Sequence, residues 1–394
     1  MTCRRRVTSR LLTAGSVLVL ALCLGLPVAQ PAGASTGAST GGSAGRWRVV
    51  TRIGPPDGVT YPNFLAVSGP DDAWSWWNGC APCSGGGSHN YSLLEHWDGA
   101  RWRAMKTPAV AQGIVGLAAS SASNVWIFAV RGATPKHKVA YHMAIWDGRS
   151  WRVQAIPAWV IGFSRAGFYF VNPVVFGPGN VWAFSIGRYA AHFNGRNWAR
   201  IKMPLPASTV SAVSASDIWA ISYRPAGGQA LMHWDGRSWR LLPIPKPARI
   251  PPKSTEYVGG LTAAGPDSVW LTRDIQTGSQ GARSLYLMHW DGRSWHRIGF
   301  RFPTSFAGEA AQDGHGGLWL AANGVAPGYH WYFDHLLAGG TWTRQAMPAR
   351  GQVGLAQNGS PMQLIPGTRS VWAVGSLFPP NNKYVIGAIF KYGP

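Results

Sequence analysis

Between residues 258 and 302 four short apolar runs alternate with turn residues. Residues 258–263 are small and apolar and predict a strand. Gly265-Pro266-Asp267 predicts a turn, and 269–272 a second strand. A variable stretch follows. Then 285–290 predicts a third strand and 295–300 a fourth, closed by Pro303. Asp291-Gly292 between these last two predicts a tight hairpin, because both residues tolerate positive φ.

This pattern repeats. The segment 288–295, Met-His-Trp-Asp-Gly-Arg-Ser-Trp, returns at 232–239, and looser copies end at Trp102, Trp151, Trp198 and Trp342. A second motif alternates with it: Asp72-Ala73-Trp74, Asn124-Val125-Trp126, Asn180-Val181-Trp182, Asp217-Ile218-Trp219, Ser268-Val269-Trp270, Gly317-Leu318-Trp319 and Ser370-Val371-Trp372. Seven units of four antiparallel strands, with small residues on the first strand of each, describe a β-propeller. The two tryptophans of each unit are expected to pack between adjacent blades. The seventh unit stops at Gly393, which aligns with Gly292, before a fourth strand is made. Residues from Gly45-Arg46-Trp47 onward match the missing strand. The fold class is therefore all-β, a single seven-bladed β-propeller whose last blade is closed by the N-terminal strand, leaving no open terminal edge.

Residues 1–34 have the plan of a secretory signal. Arg4, Arg5, Arg6 and Arg10 precede an apolar run from Leu11 to about Leu26, and Ala32-Gly33-Ala34 is a cleavage site of the A-x-A type. An uncleaved membrane anchor is the alternative. Residues 35–45 contain only Ser, Thr, Gly and Ala, a flexible linker by composition. Residues 46–394 form the propeller. The protein is thus expected outside the cytoplasm, secreted or associated with the cell envelope.

The 50 Gly, 29 Pro and 22 Trp fit short strands joined by tight turns. Charged residues are only 13%, which excludes a disordered polyelectrolyte. Net charge is nevertheless +21, with 36 basic residues against 15 acidic ones. This balance favours anionic partners, although several arginines belong to the repeated turn itself.

Val371-Trp372-Ala373-Val374-Gly375, together with His-Trp-Asp-Gly-x-x-Trp, resembles the repeat of secreted bacterial propellers grouped with kelch and galactose-oxidase-like proteins. The resemblance spans essentially the whole mature chain. It implies the fold and leaves activity open, since propellers host binding, scaffolding and catalysis. The Asp-Gly turn is also similar to the sialidase Asp-box, with one residue fewer.

Histidine recurs at His96, His192, His233 and His289, with Ile145 and Leu336 in its place elsewhere. Equivalent positions on different blades do not converge, so these are structural residues and not metal ligands. His137 and His142 lack a matching ligand set. Cys80 and Cys83 are expected to form a disulfide, with a redox pair as the alternative. Phe300-Arg301-Phe302-Pro303 resembles a sialidase element but falls where each blade has its fourth strand. Glu256-Tyr257 has no further catalytic partner in the sequence. No cofactor motif is present.

The Asp-Gly and Pro-Asp turns share one end of a propeller. Binding residues are expected at the opposite end, on the variable loops. The candidates are Arg131, Lys136, Lys138, Trp159, Arg165, Arg188, Tyr189, Arg224, Arg273, Asp274, His330, Trp331 and Tyr332. Aromatic rings can stack on sugars, and the cations can pair with phosphate or carboxylate. The expected function is non-catalytic binding or scaffolding, by a monomer and without a cofactor or metal. The partner would be an anionic envelope polymer, lipid headgroups or a protein, with carbohydrate also open; export disfavours nucleic acid. The alternative is a carbohydrate-active enzyme of glycosidase or sialidase type with its site at the channel mouth. It requires two carboxylates in one pocket, drawn chiefly from Glu95, Glu256, Asp274, Glu309, Asp313 and Asp334.

Overall fold

The computed structural model describes residues 45–393, apart from 56–57, 84–88, 109–112, 132–139, 162–170, 186, 225–227, 245–253, 278–282, 305, 325–329, 349–351, 356–360 and 379–383. The strands form seven antiparallel sheets, six of them paired in chain order from the axis outward. Blades 1 to 6 span 59–105, 113–155, 172–202, 209–242, 254–299 and 306–346. In blade 7 the innermost position is shared by Gln352–Leu355 and Met362–Leu364, both paired with Val371–Phe378. Ile386–Gly393 follows, and Arg46–Ile53 from the other end of the chain is the outermost strand. The ring is closed as the repeats predict. The signal and linker assignments lie outside the described residues, except Gly45. No helix among the described residues is long and apolar enough to cross a membrane.

The hairpin chemistry is local. Gly99, Gly148, Gly195, Gly236 and Gly292 all have φ between 87° and 94°. The preceding Asp or Asn turns its Oδ1 back onto two backbone N–H groups, as Asp291 does with Arg293 and Ser294, both at 2.8 Å. Those donors hold Asp98, Asp147, Asp235 and Asp291 below the usual carboxylate range.

A polar network explains the alternation of the two motifs. The Asp, Asn or Ser that starts the second strand accepts the indole N–H two residues on. In blade 4, Asp217 Oδ1 accepts Trp219 Nε1 and His233 Nε2, each at 2.8 Å. In blade 1, Asp72 Oδ1 does the same for Trp74 at 3.1 Å and His96 at 2.8 Å. Asn180 serves Trp182 and His192 in blade 3, and Ser268 contacts Trp270 and His289 in blade 5. Each histidine also stacks on its tryptophan, with centroids 3.7–4.4 Å apart. The repeated histidine is structural: it satisfies a buried acceptor that would otherwise be costly.

Two registers differ from the sequence reading. In blade 6 the residue opposite the tryptophan is His335, not Leu336. The hairpin there is one residue longer, with Leu337 N–H reaching Thr341 C=O, so counting back from Trp342 lands one position late. His335 stacks on Trp319 at 3.9 Å and donates to Asp313. In blade 7 Lys391, not Phe390, takes the histidine position, since Trp372 pairs with Lys391. Aligning Gly393 on Gly292 is off by one, because the hairpin is interrupted by the chain ends and no Asp-Gly turn fixes it. The Lys391 ammonium lies over Trp372 at 5.0 Å and Trp97 at 5.6 Å.

Tryptophans pack the blades together as expected. Trp74 of blade 1 meets Trp146 and Trp151 of blade 2, and Trp182 of blade 3 meets Trp234 of blade 4. At closure, Trp372 of blade 7 sits edge-on to Trp97 and Trp102 of blade 1, with centroids at 5.1 and 5.3 Å. Trp47 on the N-terminal strand stacks on Phe333 of blade 6 at 3.7 Å. Such offset and edge-on pairs add to the burial of large apolar area. Along the axis, Ala66, Ala118, Val174 and Ala212 line a cavity of about 390 Å³. Gln363 of blade 7 bridges to blade 1 there, donating to Leu65 C=O and accepting from Val67 N–H.

Candidate functional site

The loops joining second to third strands, and those joining blades, share one end of the ring. The hairpins and the turns between first and second strands share the other, where Gly292 abuts Asp267 and Gly99 abuts Asp71. All four tyrosines that are strongly exposed among the described residues belong to the variable end: Tyr61, Tyr189, Tyr223 and Tyr257. Each lies near the start of a first or third strand or the end of a second.

The positive charge is more dispersed. Arg103, Arg152 and Arg240 are exposed on outermost strands, which are sheet edges, and Arg101, Arg149, Arg196, Arg237 and Arg293 are exposed on the hairpins. Arg103 and Arg240 pair with the hairpin carboxylates Asp98 and Asp235. Charge on an edge strand discourages edge-to-edge pairing. Much of the +21 therefore has a structural use.

The sequence candidates fall into separate groups. Arg131 ends the second strand of blade 2 and is half-buried. It contributes to lowering the pKa of His142, an effect due first to burial. Between blades 2 and 3, Trp159 lies on the short helix Ala158–Ile161. Arg200 is stacked over both Trp159, at 4.7 Å, and Tyr189, at 5.8 Å, beside the exposed Arg188. In blade 6, His330 is exposed and Trp331 and Tyr332 open the strand Trp331–Leu336. Arg344 lies over Tyr332 at 4.4 Å and forks onto the buried Asp334, with N–O distances of 2.7 and 2.8 Å. Lys136, Lys138 and Arg165 lie outside the described residues.

Arg224 and Arg273 are the two candidates that share a cavity. It measures about 420 Å³, lies between blades 4 and 5, and is also lined by Gln229, Ile244, Glu256 and Val258. The sequence placed Arg273 and Asp274 in a loop. They stand instead within the strand Ser268–Thr277, paired with a first strand that runs Ser254–Gly265. The charged pair interrupts the apolar pattern but not the ladder. Arg273 is buried, with 2% of its side chain exposed, and is ion-paired through Nη2 with Glu256 Oε2. Gln229 reaches across from blade 4 to donate to Val258 C=O at 3.3 Å. Next to Arg224, Tyr223 keeps about half its surface exposed, and partial desolvation together with a hydrogen bond with Tyr257 pushes its hydroxyl up to about 12.

The carboxylates do not converge among the described side chains. Glu256 pairs in register with Ile275, whereas Asp274 pairs with Tyr257, so the two acids lie on opposite faces of one sheet. Asp334 is held by Arg344 and Asp313 by His335. Glu95 is buried in blade 1, and burial pushes its carboxyl up to about 7. The Glu309 side chain lies outside the described set. Among the described residues no group of His, Cys, Asp or Glu is placed to hold a metal ion. Cys80 and Cys83 are joined as a disulfide, with Cα atoms 5.3 Å apart.

Sequence reasoning passed over Arg200, Arg297 and Arg344. Each is two residues after its blade's tryptophan, in Trp198-Ala199-Arg200, Trp295-His296-Arg297 and Trp342-Thr343-Arg344. A spacing of two places the guanidinium on the same sheet face as the indole, and each covers an aromatic ring. Blades with Trp-Arg place the cation on the other face. The signal was in the repeats but required comparing blades by spacing.

No protein-family model matches the chain. No curated protein matches it either. Among solved structures it is similar to YCF48 bound to a D1 peptide, at 12% identity and a TM-score of 0.51, over 88% of this chain and 96% of that one. It is also similar to YCF48 from Cyanidioschyzon merolae, at 14% identity and a TM-score of 0.50, over 88% and 98%. At such identities the likeness is one of fold, and the fold shared is the β-propeller.

Proposed function

We propose that this protein is an exported, non-catalytic binding propeller of the secreted kelch-like repeat type. It acts at the cell envelope or outside the cell, on an anionic partner held at its variable end. The observation that carries this is the placement of Tyr61, Tyr189, Tyr223 and Tyr257 on that end, between 45% and 53% exposed, with the exposed Arg188 and Arg224 beside two of them. Exposed tyrosine brings large contact area at little entropic cost and is common where proteins meet ligands. Neighbouring arginine adds selectivity for carboxylate and phosphate. An envelope polymer is the favoured partner, because an exported basic surface meets such polymers first. The scattered carboxylates favour binding over glycoside hydrolysis, which needs two acids in one pocket.

The test is a pull-down of envelope polymers, anionic vesicles and envelope proteins by the full chain at low and high salt. Screening shortens from about 10 Å at 0.1 M to about 3 Å at 1 M, so polymer capture should fall steeply. Capture that ignores salt, or that is confined to vesicles or proteins, would remove the envelope polymer from this account.

A further inference from the structure

The cavity between blades 4 and 5 contains more unmatched polar atoms than its own ion pair explains. Arg273 uses Nη2 on Glu256, but its Nε and Nη1 are buried with no acceptor. The second carboxylate oxygen of Glu256, Oε1, is buried with no donor. Tyr286 does not line the cavity, but it pairs in register with Arg273 and its buried hydroxyl is also unmatched. Buried polar groups without partners are rare in folded proteins and point to an unseen ligand or water. Arg224 stands exposed on the same cavity and forms no ion pair among the described residues.

The set has a definite chemistry. Among the described residues that line it, two guanidiniums and one carboxylate leave one positive charge, which suits a monoanion better than a dianionic phosphate monoester. The unmatched guanidinium N–H groups suit an oxyanion, and the free oxygen of Glu256 suits a hydroxyl donor. Ile244 and Val258 supply an apolar wall. A volume of about 420 Å³ lies within the range of small-ligand pockets.

Deepening the envelope-binding function proposed above, on which it rests, we infer that this cavity binds a carboxylate-bearing sugar of the uronic acid class. The sugar carboxylate is received by Arg224 and Arg273. A ring hydroxyl donates to Glu256 Oε1, and the C–H face of the ring lies against Ile244 and Val258. A neutral sugar would leave the guanidiniums unmatched, and an alkyl carboxylate would leave Glu256 unmatched.

The experiment is calorimetric titration of the full chain with glucuronate and galacturonate, and in parallel with glucose, hexanoate and inorganic phosphate. A uronate is expected to bind at least about tenfold more tightly than each of the other three probes. Arg273→Gln leaves Glu256 without its ion-pair partner and can compromise folding. The decisive variant is therefore Arg224→Gln at the exposed rim, expected to melt like the parent and to bind uronate about tenfold more weakly. No uronate binding, equal binding of glucose, hexanoate or phosphate, or an unaffected Arg224→Gln protein would overturn the assignment. Salt-sensitive envelope capture without uronate binding would end the pocket assignment and leave the envelope role standing. Uronate binding with no envelope capture would do the reverse.

Discussion

Glu95 offers a sharp test of how the interior is built. It lies on the third strand of blade 1, on the same sheet face as Leu93 and Trp97, and those two pack against Trp77, Trp372 and Val374 at the blade 7 junction. Burial raises its carboxyl from 4.5 to about 7. A folded-state pKa above the unfolded value means the native protein binds more protons between those limits. Stability from this group is therefore complete below about pH 4.5 and is lost as pH rises towards 7. At about 1.36 kcal/mol per pH unit the full effect would be roughly 3 kcal/mol. We take about half, since the third strand is one strand from the solvent edge and screening reduces the cost. Glu95→Gln removes the charge and keeps the shape. It should stabilise the protein by about 1–2 kcal/mol at pH 8 and by almost nothing at pH 4.5. Urea unfolding of both proteins across that range measures the difference. A gain independent of pH, or a loss at pH 8, would refute the argument that desolvation governs this carboxyl.

Trp372→Ala empties a fully buried site at ring closure, between blade 7 and Trp97 and Trp102, and should cost about 3–5 kcal/mol in urea unfolding. Asp217→Ala strips the shared acceptor from Trp219 and His233 and should cost about 2–3 kcal/mol. Asp217→Asn should recover most of that loss, because Asn180 fills the same role in blade 3; equal losses in the two variants would count against a shared-acceptor role. Gly292→Ala, at φ +88° and close against Asp267, should lower stability by about 1–2 kcal/mol. Deleting residues through Ile53 exposes the edge of Ile386–Gly393 and should produce aggregation, visible by light scattering, that deletion through Ala44 does not.

The ring was readable because its units carry two strong local signals. Asp-Gly hairpins fix where third and fourth strands meet, and the tryptophans mark the blade contacts. Where the hairpin chemistry changes, counting failed by one residue, at Leu336 and at Gly393. A strand has a period of two, so a single step moves a side chain to the other face. The candidate cavity was half readable. Arg224, Arg273 and Glu256 were each noticed, but Arg273 was placed in a loop. Pairing between a first-strand acid and a second-strand base belongs to the sheet register, which no local pattern announces. The contribution of Gln229 comes from a different blade and has no sequence signal at all.

The central claim is that the variable end, not the arginine-bearing hairpin end, engages the partner. Affinity of the full chain for isolated envelope polymer, measured beside two double variants, tests this directly. Arg224→Gln with Tyr257→Ala should weaken binding by at least about tenfold, whereas Arg237→Gln with Arg293→Gln, which also removes positive charge, should leave it within about twofold. The opposite pattern, with the hairpin arginines carrying the affinity, would contradict the account.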